Sequence, residues 1–506
     1  MDRGLMIQIP AALDYALKDT RYNWGYYTDP EPFMNNRRIY CPRGRVLGGS
    51  SSINGMMFVR GHFEDFDGWA KEDGLTNWSY AHCIPYFKRM ESYDRGVDAY
   101  RGDSGPLHIS TAKPERLLDR AFLDAARQAG YQHSDDTNGY QHEGFGVTDR
   151  NIFKGRRWSA ADAYLHPVSH QSNLRIFVEA NVQKILFDGK RAIGAEFFMN
   201  GQVHRVYGER EILLASGSIN SPQLLMLSGI GHAEHLGDHD IPLVQHLPGV
   251  GENLQDHLDL RVQVASTKPV SLYSDSKGIR RLMVGIQWLL TKRGVCSTNL
   301  LEVAGYIRSN PEILYPDLQL TFMAIAASYD GSHSYHGHGY QALFDLMRPA
   351  SRGRIRLKSR DPSVPPSILF RYLEMEADQR VVVNGLRLAR EILGQQAFSA
   401  YRGQELSPGP EVKNDDDVLA WARATGETEY HPTSSCSMGC GDNAVVDSEL
   451  KVHGIDGLRV VDASVMPKIV TANTNAATIM IAEKAADIIK GEEILQPEFP
   501  ITFKSM

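Results

Sequence analysis

Four short strings carry residue types that chemistry can use. Tyr430-His431-Pro432 offers an imidazole, whose ordinary pKa suits proton transfer near neutrality. A lone histidine before proline is as readily a structural one. Asn473-Thr474-Asn475 stands directly before a helical pattern at 476–490, where asparagine is a good cap and the helix start attracts negative charge. Gly44-Arg45-Val46-Leu47-Gly48-Gly49-Ser50-Ser51-Ser52-Ile53-Asn54 pairs glycines, which let a backbone approach a ligand, with small polar donors suited to phosphate. Taken alone, such a loop serves structure more often than function. Gly217-Ser218-Ile219-Asn220-Ser221-Pro222 falls between a strand and a helix. A doubly wound fold holds a dinucleotide there, and a plain tight turn would read the same way.

Other clusters offer less. Cys436 and Cys440 lie four apart, but no second pair completes a zinc site, so no metal is expected. His333, His336 and His338 sit among Ser, Tyr and Gly and read as a solvated loop. Five cysteines in 506 residues are too few for a disulfide framework, which favours a reducing compartment.

The elements that must position these strings follow from periodicity. Apolar residues at three- and four-residue spacing predict a helix over 118–129, ended by Gly130. Strand-like runs occupy 174–178, 185–187, 192–198 and 212–215, with Asp188-Gly189 and Asn200-Gly201 as turns. Ser221 as N-cap and Pro222 at the first helical position would open a helix over 223–227, stopped by Gly229. A strand at 458–461 ending on Asp462 and a helix closed by Gly491 repeat that strand-to-helix order. Residues 260–410 mix strands, turns and a helix around 381–393, which reads as a second domain inserted between pieces of the first. Asp415, Asp416 and Asp417 favour a helix start just before the histidine string.

Composition sets the outer bounds. Apolar residues make 42% and charged residues 23%, excluding wholesale disorder, and the length allows roughly three average domains. A net charge of −7 argues against nucleic acid as the main partner. No apolar run approaches the roughly 20 residues that a bilayer span needs, although peripheral membrane contact stays open. The start, Met1-Asp2-Arg3-Gly4, has neither a secretory pattern nor an Arg/Ser-rich presequence.

Taken together and in their order along the chain, the four strings resemble the glucose–methanol–choline (GMC) oxidoreductases. The strings CPRGRVLGGSSSINGMMFVRGHFEDF, INSPQLLMLSGIG, LPGVGENLQDHLDL, GLRVVDASVMP and NTNAATIMIAEKAADIIKG carry the likeness, which runs from about Ile9 to Gly491. They are most similar to the choline-oxidising branch of that family. The resemblance implies an α/β fold: an FAD-binding, Rossmann-like doubly wound domain with an inserted antiparallel-sheet substrate domain. It divides the chain into 1–258, mainly FAD-binding, 259–415, mainly substrate-binding, and 416–506, which returns to the FAD domain. The family's opening GxGxxG unit does not precede Gly44, so the expected fold lacks its first βα unit and flavin affinity is in question.

Residue by residue, the resemblance implies the following. Arg45, Gly48, Gly49, Ser50 and Asn54 would wrap the flavin and pyrophosphate. Val182 would meet the adenine through its backbone, Ala215, Ser216 and Gly217 the adenosine side, and Asp462 and Ala463 the diphosphate–ribityl region. Ile53 stands where some relatives carry a histidine bonded to FAD, so the cofactor is expected to be non-covalent. His431 matches the catalytic histidine and Asn475 its partner. Glu302 would face the trimethylammonium group of choline, with Tyr430, Phe322 and Trp24 as aromatic walls. Glu429, if it points inward, would favour the protonated histidine and move the activity optimum upward. The implied reaction is oxidation of choline to betaine aldehyde and onward to betaine. A mitochondrial inner-membrane association is implied as well, and oxygen, a quinone or a carrier protein would each be compatible as electron acceptor. Another primary alcohol or a sugar, or a flavin-free non-catalytic product, are the alternatives.

Overall fold

The computed structural model describes residues 2–72, 74–327 and 335–500. In chain order, the elements that matter for the site begin with helix α1 (Leu117–Gln128) and strand β1 (Gly144–Val147). Strands β2 (Asn181–Asp188), β3 (Arg191–Met199), β4 (Gln202–Tyr207) and β5 (Ile212–Leu214) lead into helix α2 (Gly217–Leu227). Strand β6 (Leu258–Ser266), helix α3 (Gly278–Thr291) and strands β7 (Val303–Ile307), β8 (Leu318–Met323) and β9 (Gly339–Leu346) form the middle. Helix α4 (Glu376–Leu393), strand β10 (Arg402–Ser407), helix α5 (Asp415–Thr425), strands β11 (Glu427–Thr428) and β12 (Leu458–Val460) and helix α6 (Asn475–Lys490) complete the list.

The largest sheet is antiparallel, in the order β10-β6-β9-β8-β7-β1, with β11 also pairing β6. Its register explains its two faces. Leu260, Phe344 and Leu320 align across β6, β9 and β8, and Asp259, Asp345 and Gln319 align one step away. Side chains alternate along a strand, so one face is apolar and the other polar. Helices α1 and α4 cover the apolar face. Phe122 of α1 stacks on Phe322 at 4.8 Å, and Gly385 of α4 comes so close that a Cβ there would meet the Phe344 ring at 2.6 Å. The polar face is left to line a cavity. The sheet takes β1 and β11 from outside the expected 259–415 segment.

A second, smaller arrangement brings the chain's ends of the site together. β5 and β12 pair in parallel, Ile212 with Leu458 and Leu214 with Val460. This parallel pair has the expected strand-to-helix order, with β5 leading into α2 and β12 preceding α6. The turns at Gly189 (φ +57°) and Gly201 (φ +78°) close the antiparallel β2-β3-β4 meander as expected.

Two local expectations need correction. No strand forms at 174–178: Ile176, Phe177 and Val178 are exposed, and although the Phe177 ring lies 5.8 Å from Phe197 of β3, both edges of β3 are already paired, with β2 and β4. Helix α2 begins at Gly217 rather than after Ser221, whose hydroxyl is drawn instead to the Asp462 carboxylate, 2.5 Å away. Asp462 also accepts the Gly217 N–H at 2.9 Å, so it is this carboxylate that ties the helix start to β12. His333 lies outside the described residues. Of its two companions, His336 is exposed and His338 is held by Ser271 and Ser274 at 2.9 and 3.2 Å.

Candidate active site

Between the polar face of the large sheet and the starts of α2 and α6 lies a cavity of about 430 Å³. Its backbone walls suit a large anionic ligand. Gly48 (φ +83°) and Gly49 (φ +54°) hold the loop in a left-handed conformation that side chains resist. A Cβ at Gly49 or at Gly217 would meet no atom within 4 Å and would project into open space. The first turn of α6 has no side-chain cap, that of α2 has only its Gly217 N–H taken, by Asp462, and Ser218, Ile219, Thr474 and Asn475 at those helix starts line the cavity. Uncapped helix N-termini favour phosphate and other negative charge. The expected cofactor residues Gly48, Gly49, Ser50, Asn54, Ala215, Ser216, Gly217, Asp462 and Ala463 all line it, as does Ile53. Arg45 is one step removed, its guanidinium 4.5 Å from the ring of Trp24, which itself lines the wall. Val182 is elsewhere: it sits on β2 paired with Phe197, its side chain largely exposed on the meander.

His431 lies at the sheet end of the cavity, and the chain fixes it from three sides. Its backbone N–H donates to Asp256 Oδ1 at 2.7 Å, and Asp256 also accepts the hydroxyls of Thr428 and Tyr372. Arg43 donates to the Tyr430 carbonyl at 2.6 Å, with Tyr430 in a left-handed conformation (φ +67°) that turns the histidine inward. His431 Nδ1 lies 3.0 Å from His257 Nδ1 and 3.2 Å from Glu429 Oε2. Its other nitrogen, Nε2, lies 3.1 Å from the Asn473 amide.

That last contact corrects an expectation. Asn475, the expected partner, is the first residue of α6 and lines the cavity. The amide that reaches the imidazole is Asn473, two residues earlier in the loop. Asn473 is half-buried, and its buried Oδ1 lacks a protein partner. A fixed, half-satisfied amide on a cavity wall is suited to a ligand hydroxyl.

The charges differ from expectation too. Glu302 is buried away from the cavity, its carboxylate held by Arg150 at 2.9 Å and Arg116 at 3.5 Å. An acid already neutralised by two arginines has little to offer a cation. Glu429 does point inward. Burial alone would raise its carboxyl, but the His431 and His257 imidazoles outweigh that and hold it at about 2. Gln319 donates to its Oε1 at 3.2 Å. Asp345, across the same wall, is pushed far above the carboxylate range by burial and by the facing Glu429 and Asp259, so it is a neutral acid. Burial also lowers His257. Glu429 is thus the one of these two cavity-lining acids that carries charge.

Of the expected aromatic walls, Trp24 and Tyr430 line the cavity. Phe322 does not: it points to the opposite face of β8, among Phe122, Tyr340 and Phe398. Its strand neighbour Thr321 takes the cavity position. Asp256 and His257 were missed as site residues, although they stand side by side in LPGVGENLQDHLDL. His257, Glu429 and His431 offer ligand atoms within 4.8 Å of one another, a spacing that a metal ion could use.

Comparison with known proteins agrees with this geometry. The sequence profile of GMC oxidoreductases matches residues 11–259 and, for its C-terminal part, 349–482. The mitochondrial choline dehydrogenase of Mus musculus is 48% identical over 492 residues, covering 97% of this chain and 82% of that protein. The oxygen-dependent choline dehydrogenase of Paraburkholderia xenovorans is 48% identical over 490 residues, covering 96% and 87%. Among solved structures, an FAD-dependent oxidoreductase from Chaetomium thermophilum superposes with a TM-score of 0.86 at 26% identity, covering 97% and 93% of the two chains.

Proposed function

The chain belongs to the GMC oxidoreductase family, and from that premise we propose that it oxidises choline to betaine aldehyde, and the aldehyde onward to betaine, with non-covalent FAD as its cofactor. The observation that carries the reading is a buried imidazole whose two nitrogens face different partners. An ionised Glu429 lies 3.2 Å from His431 Nδ1, and the Asn473 amide lies 3.1 Å from Nε2.

The residues present fit the flavin. Gly48, Gly49, Ser50, Asn54, the 215–217 turn, Asp462 and Ala463 would hold it between the two helix starts, and the Ile53 side chain offers no atom for a covalent bond. Bound FAD supplies the two-electron sink that receives hydride from the carbinol carbon. The protein's part is proton transfer and positioning. An anionic Glu429 beside Nδ1 favours the tautomer with the proton there, leaving the Nε2 lone pair turned toward Asn473 and the cavity. A substrate hydroxyl within reach of Nε2 loses its proton to that lone pair, and the Asn473 amide holds the developing alkoxide. The quaternary nitrogen of choline has no proton to donate, so it is recognised by charge and aromatic faces. Glu429, Trp24 and Tyr430 provide them.

Kinetics with choline and with its uncharged isostere, in which carbon replaces the quaternary nitrogen, test the proposal. The expected result is flavin reduction by choline with kcat/KM at least about tenfold above the isostere, a difference of about 1.4 kcal/mol. Equal rates would favour another primary alcohol or a sugar, and purified protein without flavin absorbance would favour the non-catalytic reading. We assign the location to mitochondria, as in the name of the mouse relative, and the return of electrons to oxygen, a quinone or a carrier protein. Cell fractionation and turnover with each acceptor check those two points.

A further inference from the structure

Helix α3 turns its most apolar side outward. Ile279, Leu282, Met283, Ile286, Leu289 and Leu290 are all exposed, Ile279 at 70% and Leu290 at 80%. At about 100° per residue these six fall within an arc of roughly 120°. Trp288 lies about 160° from the centre of that arc. It is wholly buried, and its indole N–H donates to the Gly155 carbonyl at 2.7 Å. The helix is therefore docked by its back, and the stripe that an ordinary surface helix would bury is left in solvent. Soluble monomers rarely expose so continuous an apolar stripe without a use for it.

Charge indicates what covers it. Between Asp275 and Glu302 the sequence has no acidic residue and five basic ones, Lys277, Arg280, Arg281, Lys292 and Arg293. This occurs in a chain whose net charge is −7. The basic residues lie at the two ends of the helix. No helix of the described residues is long and apolar enough to cross a membrane. An apolar stripe bracketed by cations, lying flat on a folded body, has the chemistry of an interfacial anchor.

We propose that α3 seats the protein on an anionic phospholipid surface, with the Ile279–Leu290 stripe among the acyl chains and the flanking Lys and Arg at the phosphates. The position on the fold gives the contact a consequence. Arg281 donates to the Tyr15 hydroxyl, and Tyr15 lies in the short segment whose Leu13 and Leu17 line the cavity. The lipid-facing side therefore adjoins one wall of the site. This assignment does not depend on the oxidation chemistry, and its test reads binding rather than turnover.

The test is co-sedimentation of the full chain with vesicles of phosphatidylcholine, alone or mixed equally with phosphatidylglycerol. Binding is expected to the mixed vesicles and to weaken with salt. The combined variant Leu282→Asp, Ile286→Asp, Leu290→Asp should lose more than about tenfold in partitioning. An unchanged melting temperature would show that it folds. Arg280→Gln with Arg281→Gln should weaken binding to mixed vesicles and flatten its salt dependence. The proposal is overturned if wild type stays in the supernatant, or if the triple variant binds as well. It is equally overturned if the stripe instead holds a dimer that the triple variant dissolves while vesicle binding is absent.

Discussion

An imidazole works as a base on only one of its nitrogens at a time, so the groups around the other decide whether it is ready. At His431 that group is Glu429, and the two asparagines of the 473–475 string are separated by the same reasoning. Asn473 touches Nε2, whereas Asn475 opens α6. Asn473→Ala should therefore lower kcat by about 10²–10³-fold, the range for removing one preorganised donor, with little change in flavin binding. Asn475→Ala should act mainly on flavin affinity. Stopped-flow flavin reduction and flavin titration separate the two outcomes, and equal kcat losses would return Asn475 to the role first expected. The acids exchange roles in the same way. Glu429→Gln should lower kcat/KM for choline by roughly 10–100-fold and for the uncharged isostere by less, because the isostere loses only the hold on the Nδ1 proton and not a charge partner. Glu302→Gln, beside Arg150 and Arg116, should cost stability by stranding buried cations and leave discrimination between the two substrates intact.

Elements decide which of two adjacent residues reaches the site. In β8 the alternation assigns Thr321 to the cavity and Phe322 to the core under α1. Phe322→Ala should cost about 3–5 kcal/mol in unfolding free energy while leaving the KM for choline in place. Denaturant melts and steady-state kinetics on the same preparation check both halves. The alternation was legible in LQLTFM, but which of its faces met the cavity was not. That depends on β9 and β6 pairing across long stretches of chain. Helices were read well because their periods and stops are local: the Ala-rich repeat at 118–129 became Leu117–Gln128, and Gly491 ends α6 at φ +69°. The helix at 381–393 was read short by five residues at its start, since Glu376 and Asp378 are polar and favour a first turn without showing an apolar period. The run at 174–178 has strand composition, but the strand its Phe177 touches, β3, is already paired on both edges, and a strand without a partner is not one. Glu302 fails for a related reason. Its arginines come from positions 150 and 116, and nothing in the sequence ties them to it.

At the scale of the whole molecule, buried ionisable groups set how folding stability depends on pH. His142 is buried, with Nδ1 2.9 Å from the Thr137 carbonyl and its ring against Tyr306 at 4.1 Å. Burial lowers it to about 4, against an ordinary value of 6.5. His62, facing it at 5.7 Å, is lowered further, to about 2. Both stay neutral in the folded protein at a pH where the unfolded chain would protonate them. Their contribution is therefore complete above about 6.5 and is lost as pH falls, with a limiting slope of about 1.4 kcal/mol per pH unit for each. Other groups oppose this. Burial raises Glu31 to about 7 and Asp65 and Asp119 to about 6, so the folded state holds protons there that the unfolded state releases. Those three favour folding at low pH and lose that contribution as pH rises through 6–7. Between about pH 4.5 and 6 three acids oppose two histidines, so the two sets cancel only in part. Removing one member exposes the compensation. His142→Phe keeps the ring against Tyr306 but cannot take up a proton, so on acidification it should gain stability relative to wild type by about 1.4 kcal/mol per unit below pH 6.5. Parallel melting curves for the two proteins across that interval would show that the imidazole titrates alike in both states and would refute the buried, neutral assignment.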